Sequence, residues 1–122
     1  MLLKSLSITW TLVILFLCLV PIKNKENSNL FWEHTDKLVH FFMYLVLVSL
    51  LLLTANAQTL KSKGVVIIVC CAVIFGMIIE VIQELMNLGR HFDFFDLLAN
   101  LTGVIFALIG YFLWKKKGSL GV

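Results

Sequence analysis

Four apolar runs, each near the length of a bilayer crossing, decide what this chain can fold into. They are Leu2 to Val20, Asp36 to Ala55, Val65 to Ile79 and Phe94 to Leu113. A hydrocarbon core of roughly 30 Å needs about 20 residues of helix. The third run is short, and the polar-faced stretch Glu80 to Asn87 supplies its remaining length. Backbone groups in lipid must find partners within their own segment, so the runs are read as helices. Hydrophobic residues make up 61% of the 122 and charged residues only 14%. A soluble domain averages roughly 45–50% apolar, and so few charges cannot cover a soluble surface. The expected fold is all-α, a polytopic membrane protein with four transmembrane helices. Residues 1–122 form one domain with no internal repeat.

The first run is expected to be a retained helix rather than a cleaved leader. No small-x-small site follows it, and Leu15-Phe16-Leu17-Cys18 has large residues where a lipoprotein box needs small ones. Ile22 to Thr35 is expected to be a polar loop, with Leu30-Phe31-Trp32 at the interface. Gly103 and Gly110, seven apart, are expected to let a neighbouring helix approach. Cys18, Cys70 and Cys71 all lie in apolar runs, so buried thiols are expected, with no disulfide framework or metal-ligand spacing.

The formal net charge of +3 sits in loops and tails, so nucleic acid is not an expected partner. One side of the membrane would carry Lys4, Lys61, Lys63 and Lys115 to Lys117. The other would carry Lys23, Lys25, Lys37 and Arg90, offset by Glu26, Glu33 and nearby aspartates. The bias places both termini in the cytoplasm and the site described next on the extracytoplasmic side.

That site is suggested by the polar stretch Glu80 to Asn100 between the last two runs. Glu80, Gln83, Glu84 and Asn87 are three and four apart and share a helical face. Arg90, Asp93, Asp96 and Asn100 form a second stripe if helical, with Leu88-Gly89 as the turn between. Asp36, His40 and Tyr44, four apart, open the second run beside Lys37. With four spans, all three segments reach the same leaflet. Ionisable groups at membrane depth cost several kcal/mol unless paired or wetted. Only Lys37, Arg90 and His40 can be cationic against five carboxylates, so the surplus asks for a proton, a metal or a cationic ligand. Interhelical ion pairs that staple the bundle are the plainer alternative.

Residue chemistry suggests roles. Arg90 suits a phosphate or carboxylate, and His40 suits an acid, base or nucleophile. Crowded carboxylates favour keeping a proton on one of them, which suits general acid or base work by Glu80, Asp93 or Asp96. Those three can instead share a divalent cation. Gln83 and Asn100 can orient a ligand, beside Asp36, Lys37 and Tyr44. Glu84 is expected to face solvent, and His91 to be a loop histidine.

The combined pattern resembles the VanZ-like family. It runs Asp36-Lys37-x-x-His40-Phe41-x-x-Tyr44, Glu80-x-x-Gln83, then Arg90-x-x-Asp93-x-x-Asp96-x-x-x-Asn100-x-x-Gly103. The resemblance covers about residues 36–110. It implies a four-helix membrane domain, a link in some members to teicoplanin-type glycopeptide resistance, and kinship with membrane enzymes acting on lipid head groups. Two functional readings follow. One is an enzyme acting on a phosphate-linked lipid head group or a lipid-linked cell-wall precursor at the outer leaflet. The other is a non-catalytic protein that binds such a precursor, or a glycopeptide, in the same cleft. A small transporter or channel ranks below both, because the polar set is confined to one leaflet.

Overall fold

The computed structural model describes residues 1–20, 30–55, 61–86 and 92–119. The described residues form four helices: α1 (Leu2–Leu19), α2 (Leu30–Thr54), α3 (Ser62–Met86) and α4 (Phe94–Ser119). All four are long and apolar enough to cross a membrane. At 1.5 Å per residue, the 25 residues of α2 reach about 37 Å, more than a bilayer core requires.

The helix ends follow from local chemistry. Val20 leaves α1 in an extended conformation (φ −68°, ψ 128°). It precedes Pro21, whose ring disfavours the helical region for the residue before it. α4 begins at Phe94 because Asp93 caps it. The Phe95 N–H donates to Asp93 Oδ1 at 2.8 Å, and the Asp96 N–H donates to the Asp93 carbonyl at 3.1 Å. Two expectations are corrected here. α2 starts at Leu30 rather than near Asp36, so Leu30-Phe31-Trp32 lies in the helix rather than in a loop. Asp93 stands just outside the stripe of Asp96 and Asn100, as its cap. The Leu88-Gly89 turn, Asn87, Arg90 and His91 lie outside the described residues.

α2 and α4 form the most intimate pair. Gly103 is the reason: a Cβ there would overlap the Phe41 carbonyl oxygen and crowd the Leu45 N–H at 3.0 Å. Gly110 does not share that role, since a Cβ there would meet nothing within 4 Å. At its level α2 and α4 leave a cavity of about 230 Å³ bordered by Leu45, Leu53, Phe106 and Trp114.

α1 is tied to α2 by the Trp10 Nε1–H, which donates to the Met43 carbonyl at 3.0 Å, and by a 2.9 Å hydroxyl pair, Ser7 with Thr54. The core runs through Ile14, Val48, Leu52, Ile79 and Val104. Cys18 is buried in it, whereas Cys70 and Cys71 are exposed on the outer surface of α3. In a membrane that surface faces acyl chains, so these two thiols lie in apolar surroundings without belonging to the core.

Candidate functional site

Three helices bring ionisable or amide side chains to one end of the bundle at matching depth. His40 is five residues inside the candidate span Thr35–Thr54 and Glu80 is six from the end of Ser62–Met86. Asn100 is six inside Phe94–Lys117. At 1.5 Å per residue each lies about 8–9 Å along its span. His40 is 2% exposed, Glu80 0% and Asp96 7%.

His40 is the hub. Its Nδ1 lies 3.1 Å from Asn100 Oδ1 and 3.9 Å from Glu80 Oε1. An amide oxygen only accepts, so Nδ1–H is the donor in that contact. Glu80 is more unusual. Neither carboxylate oxygen has a hydrogen-bond partner among the described residues. An ionised carboxylate held that way costs several kcal/mol, so the position asks for a proton, a cation or a ligand's donor.

Lys37 stands at the mouth. Its Nζ donates to Asp93 Oδ2 at 2.9 Å and comes within 3.5 Å of Asp96 Oδ1. It also lies over the Phe95 ring, 5.8 Å from the centroid, a cation–π distance. Beyond that 3.5 Å ion pair, Asp96 Oδ1 is buried with no hydrogen-bond partner among the described residues. Asp36, His40 and Asp96 each offer a ligand atom, and these atoms all lie within 4.8 Å of one another.

Not every residue singled out from spacing joins this group. Gln83 is buried but turned to α1, where its Nε2 donates to the Cys18 carbonyl at 2.7 Å. Tyr44 lies one turn beneath His40, 1% exposed, with no hydrogen-bond partner for its hydroxyl among the described residues. That hydroxyl rests against Gly76, where a Cβ would stand 3.1 Å from the oxygen and 3.3 Å from Asn100 Nδ2. Gly76, absent from the spacing argument, thus makes room for both side chains. Its signal was a small residue one turn before Glu80 on the same face. Glu84 is exposed, as expected, and accepts the Phe92 N–H at 2.7 Å. The cation-ligand geometry falls on Asp36, His40 and Asp96 rather than on Glu80, Asp93 and Asp96.

An all-helical, four-span bundle with a buried polar cluster at one end defines a class of small integral membrane proteins. Within that class, the VanZ/LLP1 family model matches residues 3–115. The chain belongs to the VanZ/LLP1 family. It is also 32% identical over 82 residues to the uncharacterized protein C11E3.10 of Schizosaccharomyces pombe, an overlap of 67% of this chain and 49% of the yeast protein. The matched segment thus spans about half the length of that relative. No solved structure matches the chain.

Proposed function

We propose that this protein is a membrane enzyme acting on a phosphate-linked lipid head group or a lipid-linked cell-wall precursor. The observation that carries the reading is the buried cluster of His40, Glu80 and Asp96, in which neither Glu80 oxygen is hydrogen-bonded by a described residue. A merely structural cluster would be expected to close its own hydrogen bonds. In this reading His40 Nε2 moves a proton, and Asp96 or Asp93 acts as nucleophile or base. Lys37 offsets phosphate charge at the mouth. Arg90, three residues before Asp93 in the sequence, binds the same phosphate. The charge bias of the loops puts this work at the outer leaflet, with both termini cytoplasmic.

Non-catalytic binding of a lipid-linked precursor or a glycopeptide is the second reading. It is favoured by Lys37, whose ammonium is already shared between Asp93 and Asp96. Teicoplanin-type resistance is compatible with either. The test compares membrane lipids and lipid-linked precursors in cells expressing the wild-type chain or Asp96→Asn at matched levels. A species that changes with wild type and not with Asp96→Asn supports catalysis. Identical profiles beside a persisting difference in drug susceptibility select binding without chemistry.

A further inference from the structure

We propose that Asp36, His40 and Asp96 bind a single divalent transition-metal cation, of the Mn2+ or Zn2+ type. Two ligands come from one face of α2 at i and i+4, and the third from the first turn of α4. Both supports are helices, which hold ligand positions more precisely than loops do. Ligand atoms around one such ion stand roughly 3–4 Å apart, from bond lengths of about 2.0–2.2 Å. The three groups here lie within 4.8 Å of one another, so small side-chain rotations close the set.

The chemistry of the donors narrows the ion. Two carboxylates suit Mn2+ and the hard cations, and an imidazole draws the preference to Zn2+ and its neighbours. The imidazole is already oriented. Nδ1–H donates to Asn100 Oδ1, the outer hydrogen bond that metal-bound histidines make, and this leaves Nε2 as the donor atom. Glu80 gives an independent sign. It is wholly buried, both its oxygens lack hydrogen-bond partners among the described residues, and Oε1 lies 3.9 Å from His40 Nδ1. Nearby positive charge would compensate that carboxylate. Among the described residues Lys37 pairs with Asp93 at 2.9 Å and with Asp96 at 3.5 Å, and makes no ion pair with Glu80. Three protein ligands leave open positions, as sites that also receive water or an anionic ligand do.

The inference concerns the same site as the lipid reading and reassigns two of its residues: with a cation on Nε2 and Asp96, proton or nucleophile work would fall to Asp93. It does not depend on that reading, because cation binding is measured without substrate. Purified full-length protein in detergent is titrated with Mn2+, followed by electron paramagnetic resonance, and with Zn2+, followed by calorimetry. One saturable equivalent per chain is expected for at least one of the two ions. Affinity should fall at least tenfold in His40→Gln and Asp96→Asn. Asp36→Asn, at the partly exposed mouth, should weaken binding similarly, and it serves if the buried variants fail to fold. Helicity by circular dichroism identifies folded variants. No saturable equivalent of either ion, or an affinity unchanged in folded Asp36→Asn, overturns the proposal. Cation binding beside unaltered lipid profiles would sink the enzyme reading and leave this one standing; altered profiles without a bound cation would do the reverse.

Discussion

The ring of His40 and the amide of Asn100, sixty positions apart in the chain, meet at 3.1 Å inside the bundle. That contact fixes which imidazole nitrogen can act on a ligand. Removing it should leave the fold in place and disorder the chemistry. If the proposed head-group activity is assayed in proteoliposomes, Asn100→Ala is expected to lower it about 10–100-fold, the usual effect of losing the orienting partner of a metal-binding histidine. Unfolding free energy should fall by about 1–3 kcal/mol, since the buried Nδ1–H loses its acceptor. Turnover equal to wild type would show that the tautomer does not matter.

Gly103 and Gly110 should separate cleanly. Any side chain at Gly103 collides with the Phe41 carbonyl, a backbone atom that cannot swing aside. Gly103→Leu is expected to cost roughly 1–3 kcal/mol or more, read as a lower midpoint of thermal unfolding in detergent. Gly110→Ala should be neutral to slightly stabilising, because its Cβ enters open space. Equal losses at both positions would contradict the crossing described above.

Asp93 serves two roles that substitution can split. It caps α4 and pairs with Lys37. Asp93→Asn keeps a good capping side chain and removes the charge, so stability should change little. Asp93→Ala should lose about 0.5–2 kcal/mol and speed amide exchange at Phe95. If the two variants exchange alike there, the cap is not what starts the helix.

Gln83 is expected to behave as a fastener between α1 and α3. Gln83→Leu removes the donor to the Cys18 carbonyl and should destabilise by roughly 1–3 kcal/mol. The same variant should bind Mn2+ or Zn2+ like the wild type, provided it folds. Weakened cation binding in a folded Gln83→Leu would return this residue to the site.

The four spans were legible because hydropathy over twenty residues is a strong signal, and lipid leaves the backbone few choices. Boundaries were not. Leu30 to Thr35 continues α2 past the apolar run, since hydropathy marks where the apolar segment ends and not where the helix does. The polar stretch was also legible as a group, because three- and four-residue spacings put Asp36 with His40 and Asp96 with Asn100. Its partners were hidden. Spacing relates residues within one helix, whereas the turn of Gln83 to Cys18 and the meeting of Asp36 with Asp96 depend on how separate helices rotate against one another. Asp93 carried a readable sign, an aspartate directly before an apolar run. The regular spacing from Arg90 to Asn100 suggested a longer helix instead.

The two glycines beneath the polar cluster set how molecules can come and go. Gly103 seats the α2 backbone and Gly76 seats the Tyr44 hydroxyl, both about one turn below His40. Together they pack the described helices tightly beneath the cluster. On the proposed reading, a ligand would come to His40 and leave it by the end of the bundle where Lys37 stands. Two molecules exchanging a group here would share a single doorway, from a single leaflet, and the first product would have to clear it before the next reactant arrived.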